Sequence, residues 1–194
     1  VRAGGDAPDS VCIAGAGAAG AAAAYALRDA DAAVTILEKS GGVWGRAATR
    51  RKHGCRYDHG ANYLKDAGDL TASLIPELGT DGLVDIAEPV GTFDADGEIA
   101  EGHGDDGRKW TWTEGITQLA KRLLDRTDAT VRKRTRVESI TRTDGEAWTL
   151  TDAAAGDHGP LDSYVLTPPA PQTAAPLRAP ARADGRRDDV VAAV

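Results

Sequence analysis

The chain has 194 residues and a formal net charge of −7, from 30 acidic against 23 basic residues. That length suits one domain, or one domain plus part of another, and no apolar run approaches the ~20 residues that a membrane-crossing helix needs. The acidic balance argues against nucleic acid as a main partner, and two cysteines, Cys12 and Cys55, make no disulfide framework.

Asp outnumbers Glu, Arg outnumbers Lys, methionine is absent and Ala is abundant. That combination fits a salt-adapted cytoplasmic protein whose acidic surface keeps it solvated. The first ten residues, VRAGGDAPDS, lack the apolar segment of a signal peptide. The expected setting is a reducing cytoplasm, away from membranes, with a small molecule as partner. The basic run Arg132-Lys133-Arg134 with Arg136 alternates along a strand pair and reads as a solvated face.

In chain order, Val11–Ala14 is a short apolar run stopped by glycine, a buried strand. Ala18–Asp29 is Ala-rich and helical, and Val34–Leu37 is a second strand. Together they make a βαβ unit of the usual ~30 residues, with the right-handed crossover of such units. Residues 39–65 read mostly as loop. Leu70–Leu78 is helical, with Pro76 weakening its end. Residues 83–113 hold short strands, with Asp96-Gly97 as a turn signal. Trp110 and Trp112 share one strand face and read as packing for a small core, with a substrate-cavity floor as the alternative. After Gly115, Ile116–Asp125 is a helix with Ile116, Leu119, Ala120, Leu123 and Leu124 along one face. Val131 opens another strand. Val137–Thr143 and Ala147–Thr151 form a hairpin around Asp144-Gly145. Residues 152–160 read as loop, Ser163–Leu166 as a last strand, and 170–194 as a Pro/Ala/Arg/Asp-rich tail. The fold class is α/β.

Chemistry concentrates in residues 11–49. Gly15-x-Gly17-x-x-Gly20 links the first strand to the helix. Gly15 permits the tight turn, Gly17 lets a pyrophosphate approach backbone, and Gly20 lets the helix pack on the sheet. The helix N-terminus adds free N–H groups and partial positive charge, worth only ~0.3–2 kcal/mol for an anion. Glu38 closes the second strand, where its carboxylate can accept ribose hydroxyls, and it disfavours a 2′-phosphate. Gly41, Gly42, Gly45 and Arg46 follow: a loop able to wrap the pyrophosphate, and a guanidinium fork to neutralise it. An ordinary NAD site does not need that second element, so the composite favours FAD.

Asp58-His59-Gly60-Ala61-Asn62-Tyr63 is a denser polar patch, small enough at Gly60 and Ala61 for backbone to meet a flat ring. His53, Cys55 and His59 have ligand-like spacing, but only Asp58 offers a fourth donor nearby, so no metal is expected. Cys12 reads as a small core residue.

On these residues the chain resembles the flavin-dependent amine-oxidase-like proteins, and among them the renalases and their microbial relatives. The resemblance runs from about Val11 to Thr173. It rests on GAGAAGAAAAYAL, LEKSGGVWGRAATRR, DHGANY, EGITQLAKRLL and VLTPPAPQT. The first two blocks are shared widely among FAD oxidoreductases; the last three point to the renalase-like branch. The resemblance implies a Rossmann-type, glutathione-reductase-like three-layer FAD-binding domain with a β-meander over 1–65 and 126–175. It implies an inserted, partial α+β substrate domain over 66–125, and a linker or the start of a further element over 176–194.

FAD is the implied cofactor, its pyrophosphate on Gly15, Gly17, Ala18, Ala19 and Gly20, its adenosine ribose on Glu38, and Arg46 on the phosphates. Asn62 and Tyr63 are implied beside the flavin, the backbone of Val137 against adenine, and Lys39 and Gly45 among the other cofactor-binding residues. No catalytic side chain is implied, because the flavin itself accepts the hydride.

Two departures stand out. The family usually has Gly where Trp44 stands, and its members continue past the position of Val194 with a segment that returns to the flavin. A ~1 μM cofactor constant needs ~8 kcal/mol, and the contacts present serve mainly the ADP half, so weak FAD retention is expected of these 194 residues.

The expected activity is hydride transfer from a small substrate to flavin and then to O2; in renalases that substrate is a dihydronicotinamide isomer. An amine oxidase or polyene desaturase shares the N-terminal signature. The alternative of a different class is a non-catalytic nucleotide-binding domain.

Overall fold

The computed structural model describes residues 7–65, 69–87, 91–101, 108–142 and 147–178, without the side chains of 69–73 and 101. In chain order the elements are β1 (Ser10–Ala14), α1 (Ala18–Ala26), β2 (Ala33–Glu38), β3 (Thr49–Lys52), β4 (Cys55–Asp58), β5 (Leu64–Lys65), α2 (Asp69–Leu78), β6 (Leu83–Asp85), β7 (Gly91–Phe93), β8 (Ile99–Glu101), β9 (Lys109–Trp112), α3 (Thr117–Leu124), β10 (Thr130–Lys133), β11 (Val137–Arg142), β12 (Trp148–Asp152), β13 (Asp157–Leu161), β14 (Ser163–Leu166) and α4 (Ala170–Arg178). The chain divides into two compact units, one of Val1–Gly45 with Ala120–Val194, the other of Arg46–Leu119.

The first unit is built on a parallel sheet of order β10-β2-β1-β14. Its central strands are apolar and rich in β-branched residues, which suit a strand covered on both faces. The register sets Cys12 and Leu37 on one face and Ile13 and Ile36 on the other. Cys12 and Leu37 form a core with Ile140 of β11 and Leu150 of β12, and Leu177 of α4 packs against it. The antiparallel meander β11-β12-β13 thus covers that face. The helix α1 packs on β1 and β2 from the other side, through Gly20, Ala21 and Ala24. Its Ala-rich sequence has high helix propensity and small side chains, so it lies close to the sheet. Ile13, Ile36 and Leu37 are fully buried, each contributing roughly 1.5–3 kcal/mol of transfer free energy. Ser10 ties β1 to the start of β14: its N–H and hydroxyl donate to Asp162 Oδ2 at 2.9 and 2.7 Å.

The second unit holds the hairpin β3–β4, the sheet β5-β9-β6 and the hairpin β7–β8. Asp58 knots it together. Its carboxylate accepts from the Thr49 hydroxyl at 2.6 Å and from the Ile116 N–H, just ahead of α3. Thr49 N–H in turn donates to Thr117 Oγ1 at 2.6 Å. Trp112 is buried, whereas Trp110 is half-buried with the Arg108 guanidinium 4.1 Å above its ring. On β7–β8 the cross-strand pair Phe93 and Ile99 is 80% and 82% exposed.

Four regions differ from the sequence reading. The 39–65 segment contains the β3–β4 hairpin, turned by His53 and Gly54 at φ 54 and 76. A two-residue turn with both φ positive is a type I′ hairpin turn, but His-Gly is a weaker signal for it than Asn-Gly, and the strands are too charged to show alternation. The 152–160 segment contains most of β13, hidden by the polar Asp157-His158-Gly159-Pro160. The tail begins as α4, which runs through Pro176. The helix expected over Ala18–Asp29 ends at Ala26. Asp144-Gly145, the expected hairpin turn, and residues 179–194 lie outside the described residues.

Two predictions follow from this packing. Burial pushes the Cys12 thiol up to about 11, with Arg132 pulling the other way, while Cys55 is exposed. A thiol reagent at pH 8 is therefore expected to label Cys55 in the native protein and Cys12 only after unfolding; rapid labelling of both would contradict the packing. Asp152 is held below the usual carboxylate range by the hydrogen bond from His158, then by the N–H groups of Gly156 and Ala154. A depressed folded-state value stabilises above the unfolded value of about 3.9 and is lost as pH falls through the folded one. The stability difference between the protein and Asp152→Asn should shrink as pH drops below about 4 in denaturant titrations; a difference independent of pH would count against the pair.

Candidate dinucleotide-binding site

In the first unit the strand order reverses direction at β1. The chain runs outward from β1 to β2 and β10, then returns to place β14 on the other side of β1. Crevices beyond the carboxyl ends of strands at such a switch point are where open α/β sheets bind ligands. The glycine turn sits there, and its three glycines do different jobs. Gly15 has φ 100, and a Cβ on it would lie 2.6 Å from Thr167 Oγ1. A Cβ on Gly20 would run into the carbonyl of Gly15. Gly17 has neither constraint: it is the N-cap of α1 at φ −72, and a Cβ there would meet nothing within 4 Å. Gly15 and Gly20 are needed by the fold, whereas Gly17 leaves open space at the turn.

No side chain caps α1, and Ala18 and Ala19 are exposed. Amides at a helix start need partners from outside the helix, and an anion supplies them.

Glu38 ends β2 and is 6% exposed. Its Oε2 accepts from the Ala16 N–H at 2.7 Å; its Oε1 accepts from the Ser40 N–H at 2.7 Å and the Ser40 hydroxyl at 2.5 Å. A carboxylate offers about four acceptor positions. Three are taken inside the protein, which leaves one, on Oε2. The sequence reading assigned Glu38 a ligand; the structure shows its carboxylate holding the glycine turn. Gly15 N–H also bonds the Leu37 carbonyl at 2.8 Å, so β2 grips the turn twice. From the other side, Thr167 Oγ1 lies 2.8 Å from the Ala14 carbonyl and 3.2 Å from that of Gly15.

Of the other expected residues, Lys39 is exposed and donates to Gln172 Oε1 of α4 at 2.8 Å. Gly45 has φ 55, and a Cβ there would sit 3.6 Å from the Gly17 Cα. Val137 opens β11 opposite Asp152 and packs its side chain on the Cys12–Leu37 core. Arg46, Asn62 and Tyr63 belong to the second unit. There Arg46 and Asn62 are exposed, the Arg46 carbonyl lies where a Gly60 Cβ would be, and Tyr63 has the Lys109 ammonium 5.9 Å from its ring centre. The sequence reading missed Ser40, Thr167 and Arg134. Arg134, at φ 57, donates its N–H to the Ser40 carbonyl at 3.0 Å, and its Nε would lie 3.8 Å from a Gly41 Cβ. Among the described residues no group of three or more His, Cys, Asp or Glu is placed to hold a metal, and no helix is long and apolar enough to cross a membrane.

Two family models match the chain. An NAD(P)-binding Rossmann-like domain covers residues 13–74 and contains the glycine turn. A flavin-containing amine oxidoreductase model covers residues 98–187. These matches support an amine-oxidase-like FAD oxidoreductase family. Two curated proteins align with part of the chain. Protoporphyrinogen oxidase 2 of Arabidopsis thaliana, chloroplastic/mitochondrial, is 38% identical over 69 residues, 36% of this chain and 14% of that protein. Polyamine oxidase 4 of Oryza sativa subsp. japonica is 42% identical over 76 residues, 39% of this chain and 15% of that protein. The chain thus spans about a seventh of the length of the curated relatives it matches. The crystal structure of a CLA-producing fatty acid isomerase from P. acnes superposes with a TM-score of 0.68 at 18% identity, covering 92% of this chain and 62% of that one. At such identity the likeness is one of fold.

FAD is the cofactor that the flavin-containing amine oxidoreductase match supports, and the residues present fit its ADP half. The open face at Gly17 and the uncapped start of α1 suit a diphosphate, and the spare acceptor on Glu38 suits a ribose.

The division of labour among the glycines is testable. Gly17→Ala is expected to cost the fold no more than about 1 kcal/mol, the scale of an N-cap change, while weakening ADP binding. Gly20→Ala is expected to unfold or grossly destabilise the protein. Equal stability of the two variants by thermal melting would contradict the geometry. Glu38→Gln puts an amide N–H₂ against existing donors, so denaturant titration should show a loss of about 1–3 kcal/mol; an unchanged midpoint would refute the Glu38 clamp.

Proposed function

We propose that this chain forms the adenylate-holding part of an FAD-dependent oxidoreductase of the amine-oxidase type, which takes a hydride from a small substrate and delivers the electrons to O2. The observation that supports this most is the glycine turn at the sheet's switch point, gripped by the buried carboxylate of Glu38. When bound, FAD would supply the two-electron acceptor, with O2 as the terminal oxidant.

The chain's own residues bind and orient. Amides around Gly15, Gly17, Ala18, Ala19 and Gly20 take the diphosphate, with Gly45 allowing the neighbouring loop to come close. Glu38 accepts a ribose hydroxyl, and its negative charge disfavours a 2′-phosphate. Lys39 and Arg46 offset phosphate charge. The backbone of Val137 meets adenine, and Asn62 and Tyr63 serve the flavin side.

The narrower proposal places the chain in the renalase-like branch, with a dihydronicotinamide isomer as hydride donor; DHGANY, EGITQLAKRLL and VLTPPAPQT support it. The amine-oxidoreductase match over 98–187 favours an amine donor as the second reading.

Calorimetry with ADP, then anaerobic bleaching of the FAD-loaded protein by a panel of dihydronicotinamide isomers and polyamines, tests these in turn. Expected are ADP binding at one site, and loss of flavin colour with one donor class followed by its return in air. ADP binding with no bleaching by any donor would point to a non-catalytic nucleotide-binding domain. Binding of NAD in preference to ADP and FAD would overturn the proposal.

A further inference from the structure

We propose that the acidic hairpin β7–β8 of one copy of this chain docks on the basic hairpin β3–β4 of a second copy. The two hairpins lie in the same unit and carry opposite charge. Residues 50–57, RRKHGCRY, hold four Arg or Lys side chains and no acid; residues 91–98, GTFDADGE, hold three acids and no Arg or Lys. The register of β3–β4 sets Arg51 opposite Arg56, on the face where both reach Glu114. Arg50, Lys52, Cys55 and Tyr57 fall on the other face, and all four are exposed. Among the described residues Arg50 and Lys52 have no acid as partner.

The hairpin β7–β8 gains from being covered. Among the described residues it joins no larger sheet, and a lone two-stranded hairpin is marginal in water. Its Phe93–Ile99 pair stands almost fully exposed, and exposed apolar surface rimmed by polar groups marks an interaction site. The Asp94 carboxylate is used within the turn, by the N–H groups of Asp96 and Glu98 at 2.9 and 3.0 Å. The carboxylates of Asp96 and Glu98 meet no cation among the described residues. The free face of β3–β4 offers what they lack: two cations without an acid, beside a tyrosine ring 42% exposed. Within one copy the two faces do not meet, because both stay open to solvent. One chain supplies both halves of the match, so a second copy is the partner that brings the complement. At a net charge of −7 two copies repel overall. Salt weakens that repulsion and the local attraction alike, so the direction of the salt effect shows which one governs.

Sedimentation equilibrium at about 0.1 mM chain is expected to show a mass above 20.1 kDa at low salt. That mass is expected to fall to a single chain's near about 1 M salt, where charges are screened beyond about 3 Å. Arg50→Glu with Lys52→Glu is expected to be monomeric on its own, and so is Asp96→Lys with Glu98→Lys. An equimolar mixture of these two variants is expected to associate, because each supplies the hairpin charge that the other needs. Both variants keep a net negative charge, so overall attraction cannot produce that pairing. Should a variant not fold, the unaltered protein decides: a zero-length carbodiimide is expected to join Lys52 to Asp96 or Glu98 in the two-chain product and not in the single-chain product. A single-chain mass at every salt concentration, association that strengthens with salt, or a mixture that stays monomeric overturns the proposal. A two-chain product joined only at other residues also overturns it, because the copies would then meet through a different surface.

Discussion

The carboxylate of Glu38 is the interaction on which the site depends. It comes from the end of β2, 22 residues after the Ala16 amide that it accepts. A buried carboxylate is costly unless hydrogen bonds replace the water it loses, and Ala16 and Ser40 replace it. The same bonds fix the glycine turn against β2, while Thr167 fixes it against β14. The turn is thus clamped from both neighbours of β1, at the point where the strand order reverses. A turn already held in shape needs little ordering when a ligand arrives.

Net charge pulls the other way. At −7 the chain repels a diphosphate at long range, but that repulsion is screened beyond about 8 Å at physiological ionic strength. Close to the turn the local groups decide: the start of α1, Lys39, and Arg134 beside Gly41. The basic run around Arg134 therefore has one member with a place near the site, although sequence reading assigned all of it to solvent.

Much of this was legible because it is local. The first strand, the glycine spacing, the Ala-rich helix and the terminal acid lie within residues 11–38, and short-range rules read them directly. What escaped depends on distant partners or on unusual backbone. The hydroxyls of Ser40 and Thr167 acquire their roles only once β2 and β14 flank β1. The β3–β4 hairpin turns on His53 in a left-handed conformation, which its residue type does not announce. The strand β13 is held by its register with β12 rather than by its own apolarity. Asp58 was grouped with a flavin-side patch, yet its carboxylate is engaged by Thr49 and Ile116 in building the second unit.

The fold is shared with a fatty acid isomerase, and a fold by itself does not fix the chemistry done on it. The claim at the centre is that the glycine turn and Glu38 hold the adenylate end of a flavin nucleotide, and a crystal soaked in ADP tests it most directly. The account predicts density for the diphosphate at the start of α1, beside Gly17, with a ribose hydroxyl on Glu38 Oε2. A diphosphate bound elsewhere, with the turn left bare, would contradict it.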